Sequence, residues 1–267
     1  MLNKYLIDTL IQEGKRLGIP TDKKRALVRE FLQSKIIYLL YNQRDSKKLS
    51  FIGGTSLRLL RNLDRFSEDL DFDNIGLTFQ KTKAMFEACS NQLVSEGFKI
   101  EFGFKKTPSS TNSAIGYIKF IDLLFELNIS GHTAEKLLIK IDYTTPKTLP
   151  ETEILILGRF GLTQTVVANT GDFILSQKSH AILTRKSLQP RDIYDFVWLR
   201  SHGFKPSKKL FKNMGVNNEM ELYDKLLEKY KTIKPQLKSL KKKLQPFLIN
   251  EENIKYLDIF EKLVKNN

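Results

Sequence analysis

The sequence reads Phe51-Ile-Gly-Gly-Thr-Ser-Leu-Arg-Leu-Leu60 and soon afterwards Arg65-Phe-Ser-Glu-Asp-Leu-Asp-Phe-Asp73. In the first stretch, Gly53 and Gly54 leave the backbone free to approach a ligand closely. Thr55 or Ser56 is suited to cap the helix that the following leucines predict. The start of a helix presents unpaired N–H groups and positive potential, which suits a phosphate group. The pattern predicts a strand, a phosphate-binding turn and a helix.

The second stretch alternates acidic and apolar residues. As a strand it places Asp69, Asp71 and Asp73 on one face and turns Leu70 and Phe72 into a core. Magnesium prefers oxygen ligands and is usually held by one or two carboxylates together with substrate phosphates. Asp69 and Asp71 are therefore the predicted pair, and two such ions would clamp an in-line displacement at phosphorus.

These residues resemble the signature of the abortive-infection AbiEii toxins, which belong to the DNA polymerase β-like nucleotidyltransferase superfamily. Two later stretches extend the resemblance, Phe173-Ile-Leu-Ser-Gln-Lys-Ser-His-Ala-Ile-Leu-Thr-Arg185 and Arg191-Asp-Ile-Tyr-Asp-Phe-Val-Trp-Leu199. They are similar to the family's Lys-x-x-Ala helix and its Arg-Asp-x-Tyr-Asp motif. The resemblance runs from residue 25 to residue 201 and leaves out the C-terminal segment.

The resemblance implies an α+β fold with a polymerase β-like nucleotidyltransferase core, in which helices flank a mixed sheet, and a C-terminal helical domain. It implies transfer of a nucleoside monophosphate from an NTP to an acceptor hydroxyl, with Mg²⁺ as one ion or two and with release of pyrophosphate. Related toxins act in type IV toxin–antitoxin systems, and some add nucleotides to tRNA 3′ ends and so block translation. A cognate antitoxin similar to AbiEi, acting without a tight complex, is the implied partner.

The superfamily also implies a third metal-binding acid, on a strand after the Asp-x-Asp motif and next to the attacking hydroxyl. Asp142 is the chosen residue, because Lys140 and Asp142 alternate with the apolar residues of a predicted strand. Asp122 and Glu126 are rivals on the preceding predicted strand. Asp73 ranks lower, because a cation is better enclosed by ligands from different directions than by one strand.

The predicted site residues fall into three groups. Catalytic roles are predicted for Asp69, Asp71, Asp142, Lys178 and Asp192. Nucleotide binding is predicted for Gly53, Gly54, Thr55, Ser56, Lys178, Arg185 and Asp195, and metal binding for Asp69, Asp71 and Asp142. Lys178 and Arg185 lie seven residues apart, so on a helix they share a face. The roles of Lys178, Asp192 and Asp195 depend on the resemblance, since an Arg191–Asp195 pair could merely stabilise a helix. Tyr194 and Trp198 are expected in the core.

Periodicity predicts the remaining elements. Helices are expected near residues 3–17, 22–43 and 79–97, and strands over 49–52, 116–127, 137–143, 153–159 and 162–168. The two strands 116–127 and 137–143 are expected to form a hairpin. Asn169-Thr170-Gly171-Asp172 is a helix start signal. The predicted domains are a nucleotidyltransferase core over 1–170 and a helical domain with a basic tail over 171–267.

Composition excludes several classes of protein. The single cysteine, Cys89, can form no intramolecular disulfide and is expected to be a buried apolar residue in a reducing, cytoplasmic compartment. The three histidines lack metal-ligand spacing, and the glycine turn lacks the Gly-Lys-Ser or Gly-Lys-Thr ending of a P-loop. No apolar run is long enough to span a membrane.

A formal net charge of +14 favours a polyanionic partner, with RNA, and tRNA in particular, as the first candidate. Residues 205–267 carry 15 lysines, no arginine and eight acidic residues, so the tail is disproportionately basic. Its lysines at near-helical spacing would line phosphates or form a solvated helix face. Two alternative functions stay open, nucleotidylation of a protein hydroxyl and a non-catalytic nucleic-acid-binding module.

Overall fold

The computed structural model of the protein describes residues 2–107 and 113–265. The chain divides into two compact units, the first formed by Met1–Asn62 and Phe66–Ala168 and the second by Leu63–Arg65 and Asn169–Asn267. The division after Ala168 lies close to the predicted boundary at residue 170. Leu63–Arg65, which the sequence placed in the first domain, belongs to the second unit.

Seven strands form one sheet in the described residues of the first unit. They are β1 (Leu49–Ile52), β2 (Leu70–Asn74), β3 (Ile100–Lys106), β4 (Ser113–Phe120), β5 (Leu137–Thr144), β6 (Thr152–Arg159) and β7 (Leu162–Asn169). Their order across the sheet is β3-β4-β5-β2-β1-β7-β6. The β2–β5 and β1–β7 pairs are parallel, whereas β1–β2, β3–β4 and β4–β5 are antiparallel. The predicted mixed sheet of an α+β fold is confirmed.

Helices flank this sheet, and its core is aromatic. The helices of the first unit are α1 (Leu2–Arg16), α2 (Lys24–Tyr41), α3 (Gly53–Arg61), α4 (Phe79–Ser95) and α5 (Leu123–Glu126). Phe51 of β1 stacks on Phe72 of β2 at a centroid distance of 5.4 Å, and Phe72 meets Phe86 of α4 edge-on at 5.6 Å. Such ring pairs add to the stabilisation from apolar burial. The predicted inward orientation of Phe72 is confirmed.

A buried cluster of charges lies among the helices of the first unit. The Glu30 carboxylate accepts hydrogen bonds from Arg58 at 2.9 Å and from Arg159 at 2.8 Å. Arg159 also donates to the backbone oxygens of Leu59 and Arg58. Two cations around one carboxylate satisfy its oxygens away from water, and the cluster thereby ties α2, α3 and β6 together.

The prediction of one strand over 116–127 is wrong in its second half. β4 ends at Phe120, and α5 follows, because Asp122 takes a left-handed conformation (φ 58°) that turns the chain. A short apolar run fits a strand or a helix equally well by periodicity. The expected neighbours are nevertheless correct, since β4 and β5 pair in antiparallel register from Ser113↔Thr144 to Phe120↔Leu137.

β3 was not among the predicted strands, and its central residue, Gly103, explains why. Glycine weakens a strand pattern and often marks the close approach of another group. Here the Tyr117 ring of β4 occupies the space beside it, because a Cβ on Gly103 would lie 2.6 Å from Tyr117 Cε1. Gly103, which weakens the strand pattern in the sequence, therefore allows the Tyr117 ring to pack on β3.

The second unit is helical in its described residues. Its helices are α6 (Gly171–Thr184), α7 (Pro190–Ser201), α8 (Phe211–Met214), α9 (Glu219–Ile233), α10 (Leu237–Leu244) and α11 (Tyr256–Lys265). The predicted start of α6 is confirmed, because the Thr170 hydroxyl accepts a hydrogen bond from Phe173 N at 3.3 Å. Tyr194 and Trp198 of α7 are buried, as expected.

The tail lysines at near-helical spacing lie on α9, α10 and the turn between them. Leu240 and Leu244 of α10 are buried. Lys234 pairs with Glu261 at 2.9 Å, and Lys241 pairs with Asp258 at 2.7 Å. Two of these tail lysines thus have carboxylate partners within their own unit, which favours the interpretation of a solvated helix face over that of a phosphate-binding surface.

Candidate active site

Two of the predicted acids lie side by side on neighbouring strands. Asp71 of β2 and Asp142 of β5 are direct partners in the parallel register. On the other side of β2, Asp71 pairs with Ile52, the last residue of β1. Directly opposed residues of neighbouring strands project to the same face of a sheet. The fold therefore brings Asp71 and Asp142 together at the point where α3 begins.

Gly53, the first residue of α3, lies against the Asp71 carboxylate. Its φ of +77° is a left-handed conformation that favours glycine. A Cβ at this position would lie only 2.2 Å from Asp71 Oδ2. The carboxylate therefore occupies space that any other residue at Gly53 would need.

The hydroxyls of Thr55 and Ser56 do not cap α3, contrary to the prediction. The helix begins earlier, at Gly53, after the extended residue Ile52, and it has no side-chain cap. Thr55 is buried and donates its Oγ1 hydrogen bond to the backbone oxygen of Asp69, which fixes the start of the acidic strand to the helix. Ser56 is also buried. Gly54 is buried too, so among these four residues only Gly53 is partly exposed.

Asp69 precedes β2 and acts on Asp142 through its charge. The surrounding protein displaces water from the Asp142 carboxylate and raises its pKa, and the negative charge of Asp69 raises it further. Lys140, on the same face of β5, opposes this effect. The alternation predicted for β5 is confirmed, because Lys140 and Asp142 are exposed while Ile139 and Ile141 are buried.

The rival acids occupy other environments. Asp122 and Glu126 were predicted to lie on a strand, but they lie at and after the start of α5. Both pair with Lys99, at 3.3 and 3.1 Å respectively. Asp73 is buried within β2, between Ser50 and Thr144 of the adjacent strands. Asp142 is thus the candidate that combines solvent exposure with direct register to Asp71.

A ready-made metal cage is absent from the described residues. In these residues, no three histidine, cysteine, aspartate or glutamate side chains form a group that could hold a metal ion. The donor chemistry of Asp69, Asp71 and Asp142 nevertheless fits a hard divalent cation, since all three supply carboxylate oxygens. Mg²⁺ commonly takes only one or two carboxylates and completes its coordination with water and substrate phosphates.

In the second unit, the predicted residues Lys178, Arg185, Asp192 and Asp195 contact one another. Lys178 Nζ lies 3.1 Å from Asp192 Oδ1 and 2.8 Å from Asp195 Oδ2. Arg185 directly follows α6 and donates to the other oxygen of Asp192. Lys178 on α6 and Arg185 after its end therefore both contact the Asp192 carboxylate of α7, although Arg185 is extended and does not share a helical face with Lys178, as had been predicted.

Arg65 completes this cluster, and it was not among the predicted site residues. Its Nε and Nη2 donate to the two carboxylate oxygens of Asp195, both at 2.7 Å. The side chains of Arg65 and Asp195 are almost fully buried. Arg65 begins the second quoted stretch of the sequence, but 130 residues separate it from its partner. The motif itself was the available signal, although its spacing does not reveal a partner so distant in the chain.

The charges of this cluster stabilise one another. Burial opposes the charge of Lys178, but Asp195 and Asp192 outweigh burial and raise the pKa of Lys178. Burial likewise opposes the charge of Asp195, but Arg65 and Lys178 outweigh it and lower the pKa of Asp195. Lys178 and Asp195 therefore both stay ionised at neutral pH.

Arg65 belongs to a short segment held by the rest of the second unit. Tyr194 donates to Asp64 Oδ1 at 2.7 Å, and Ile249 N donates to the backbone oxygen of Asp64 at 3.2 Å. Arg65 forms an isolated antiparallel bridge with Leu248. These contacts explain why Leu63–Arg65 belongs to the second unit.

Among the helices in the described residues, none is both long and apolar enough to cross a membrane. The sequence has no significant match among curated proteins. The fold is shared with several solved structures, of which two are described. One is the Helicobacter pylori protein JHP933, with a TM-score of 0.58 and 17% identity, and the match covers 91% of this chain and 92% of that one.

The second is an H. pylori protein described as a candidate nucleotidyltransferase. It has a TM-score of 0.58 and 18% identity, and the match covers 91% of this chain and 95% of that one. The family model for the nucleotidyl transferase AbiEii toxin of type IV toxin–antitoxin systems matches residues 36–264. The matched residues include the strands β2 and β5, which carry Asp71 and Asp142, and the helices α6 and α7, which carry Lys178 and Asp192. The chain belongs to the AbiEii family of nucleotidyl transferase toxins.

Proposed function

We propose that this chain transfers a nucleoside monophosphate from an NTP to the 3′ hydroxyl of an RNA, with tRNA as the acceptor, and thereby blocks translation. The observation that carries the proposal is the direct register of Asp71 and Asp142 beside the glycine start of α3. The family supports nucleotidyl transfer, and the formal net charge of +14 suits a polyanionic acceptor.

In the proposed reaction, the acceptor oxygen bonds to the α-phosphorus of the NTP and the bond from that phosphorus to the β-phosphate oxygen breaks. Pyrophosphate leaves with the bonding electrons. Asp142, exposed on the outer face of β5, orients the hydroxyl and accepts its proton. Holding the reactants in line converts an encounter of separate molecules into a step within one complex.

Asp69, Asp71 and Asp142 would hold Mg²⁺ in this scheme. A bound divalent cation offsets the charge that develops on the phosphates and lowers the pKa of the hydroxyl. Asp71 contributes a carboxylate whose position is fixed by Gly53, and the Thr55 hydrogen bond fixes the backbone at Asp69. Because Thr55 and Ser56 are buried, we assign phosphate contact at this turn to the backbone around Gly53.

Lys178 and Arg185 of the second unit are proposed as contacts of the nucleotide phosphates. Lys178 and Arg185 have carboxylate partners in Asp192 and Asp195, which hold both cations in fixed positions. A nucleotide phosphate bound by Lys178 and Arg185 would add to their contacts with Asp192 and Asp195 or replace them. A Lys178→Met variant tests this role, with a rise in the KM for NTP as the expected result.

The acceptor is identified by incubating the purified protein with total tRNA, Mg²⁺ and each labelled NTP in turn, and by resolving RNA from protein products. Incorporation of label into RNA by the unchanged protein, but not by Asp71→Ala, supports the proposal and identifies which NTP is used. Label on protein alone would replace the acceptor by a protein hydroxyl. Absence of label from both would leave the nucleic-acid-binding alternative.

The family also suggests a partner. We propose a cognate antitoxin similar to AbiEi that counters the toxin without binding it tightly. Co-expression of the two proteins tests this, since the antitoxin should relieve growth inhibition and yet separate from the toxin on size-exclusion chromatography. Stable co-elution of the pair would contradict the proposal.

A further inference from the structure

The strands β5, β4 and β3 expose one face of the sheet, and this face adjoins Asp142. Asp142 lies directly opposite Ile115 of β4, and Ile115 lies directly opposite Lys105 of β3. All three side chains are exposed, with Ile115 at 41%. A carboxylate, an apolar side chain and an ammonium group thus follow one another across about 10 Å of sheet.

The neighbouring row of the same face has an aromatic ring at its centre. Lys140 of β5 lies opposite Tyr117 of β4, and Tyr117 lies opposite Gly103 of β3. The Tyr117 side chain is 38% exposed. Glycine at position 103 makes room for the ring, because a Cβ there would lie 2.6 Å from Tyr117 Cε1. The Tyr117 ring therefore packs against the backbone of β3 and remains partly exposed to solvent.

Positive charge surrounds this ring. Lys119 Nζ lies 5.0 Å from the Tyr117 centroid and is held by Glu101 at 2.6 Å. The ammonium groups of Lys105 and Lys140 form no ion pair with any described residue, although the charge of Lys140 acts on the nearby Asp142. Both are thus available to an anionic ligand. We call Lys105, Ile115, Tyr117 and Lys140 the sheet platform.

Single exposed apolar residues are ordinary on protein surfaces. The sheet platform differs because its ring, its apolar neighbour and its two lysines share a face with Asp142. Tyr117 is the diagonal neighbour of Asp142, about 7–8 Å away. A base on Tyr117 and a hydroxyl at Asp142 can therefore belong to the same nucleotide or to adjacent ones.

We infer that the sheet platform binds the single-stranded 3′ end of the RNA acceptor, with a base stacked on Tyr117 and phosphates at Lys105 and Lys140. Single strands suit this surface because only an unpaired base exposes its face to an aromatic side chain, and stacking accepts every base. The inference rests on the proposed function for the identity of the acceptor, but its binding test needs no NTP and no transfer.

The test measures fluorescence anisotropy of a short labelled single-stranded RNA with the full chain, without NTP. Stacking on an aromatic side chain is worth about 1–3 kcal/mol per base, so Tyr117→Ala should weaken binding roughly 5-fold to 150-fold. Tyr117→Phe keeps the ring and should bind within about twofold of the unchanged protein. Phe125→Ala, at an exposed aromatic residue on α5, is the matched control and should leave binding unchanged.

Salt dependence separates the lysines from the ring. Lys105→Ala and Lys140→Ala should each reduce the slope of log K against log salt by about 0.7, the value for one phosphate of a single strand. Lys47→Ala removes the same charge before β1, at the opposite end of the strands from Asp71, and should leave the slope unchanged. Circular dichroism checks that each variant is folded.

The inference is overturned if the unchanged protein does not bind the RNA, if Tyr117→Ala binds as tightly, or if Phe125→Ala weakens binding equally. Label transfer that needs Asp71 but not Tyr117 would keep the proposed function and reject the sheet platform. Binding that needs Tyr117, without label transfer, would support the sheet platform and reject the proposed reaction.

Discussion

The Asp71 carboxylate fills the space that a side chain at Gly53 would occupy, with its Oδ2 only 2.2 Å from the position of a Cβ. Gly53 begins α3 and Asp71 lies on β2, so the glycine turn of the first quoted stretch and the acidic strand of the second depend on each other. The glycine is needed for its positive φ and for the approach of the acid. The turn and the acidic strand therefore form one structural unit.

A Gly53→Ala variant should lose most of its transferase activity and be destabilised by about 1–3 kcal/mol, the cost of a strained left-handed residue. The new methyl group should also displace the Asp71 carboxylate. Gly158→Ala on β6 is the matched control, because a Cβ there meets no atom within 4 Å. Urea unfolding and label transfer measure both effects, and equal behaviour of the two variants would contradict the close contact.

Asp142→Asn should raise the thermal midpoint of the metal-free protein at pH 7 by about 1–2 °C while abolishing transfer. The folded-state pKa of Asp142 is raised, so its contribution to stability is full below the unfolded pKa and is lost as the pH rises through the folded pKa. At pH 7 the ionised carboxylate therefore costs stability, and the amide removes that cost.

Scanning calorimetry in the presence of a chelator measures this difference, which should vanish below about pH 4, where the carboxylate is protonated. Added Mg²⁺ should stabilise the unchanged protein more than Asp142→Asn, because a ligand that binds the folded state stabilises it. Equal stabilisation of both proteins by Mg²⁺ would remove Asp142 from the proposed metal ligands.

Asp195→Ala should lower the free energy of unfolding by about 3–5 kcal/mol, because it leaves Arg65 buried without its bidentate partner. Glu261→Ala removes a partly exposed carboxylate paired with Lys265 and Lys234, and should cost less than about 1 kcal/mol. Denaturant unfolding compares them. Similar losses for the two variants would show that burial of the Arg65 pair does not matter.

The same ion pair should appear in the pH dependence of stability. The folded-state pKa of Asp195 is lowered, so its contribution is present above the unfolded pKa of about 3.9 and is lost as the pH falls through the folded pKa. Asp195→Asn should therefore flatten the loss of stability below about pH 4. An unchanged acid profile would show that other carboxylates govern acid unfolding.

Cys89 should be inert towards thiol reagents at pH 8 in the folded protein and should react fully once the protein is unfolded. Burial raises the pKa of the Cys89 thiol to about 12, so the reactive thiolate is scarce, and the side chain has almost no contact with solvent. Colorimetric titration with a disulfide reagent checks this. Rapid reaction of the folded protein would contradict the buried position.

Patterns between residues close in the sequence predicted those elements of the fold that depend only on local residues. The alternation of Leu70, Phe72 and the acids identified β2, and Thr170 identified the start of α6. The sequence does not predict β3, because Gly103, which makes room for the Tyr117 ring, interrupts its strand pattern. The sequence predicts a strand where α5 lies, because a short apolar run does not distinguish a strand from a helix. Such features depend on neighbours that the local sequence does not show.

The candidate site shows the same limit. The alternation of acidic and apolar residues predicted the strand that carries Asp71, although Asp69 lies just before it, and the alternation of Lys140 and Asp142 predicted which residues of β5 face outward. Whether Asp142 meets Asp71 depended on the order of strands in the sheet. The pairing of Arg65 with Asp195 depended on contacts across 130 residues, which no local spacing encodes.

The most direct test of the central claim compares NTP labelled in the α-phosphate with NTP labelled in the γ-phosphate, each incubated with the protein, Mg²⁺ and tRNA. We expect α-label to enter RNA and γ-label to appear only in pyrophosphate, with both products absent in Asp71→Ala. Transfer of γ-label to any acceptor, or α-label incorporation that survives Asp71→Ala, would contradict nucleotidyl transfer at this site.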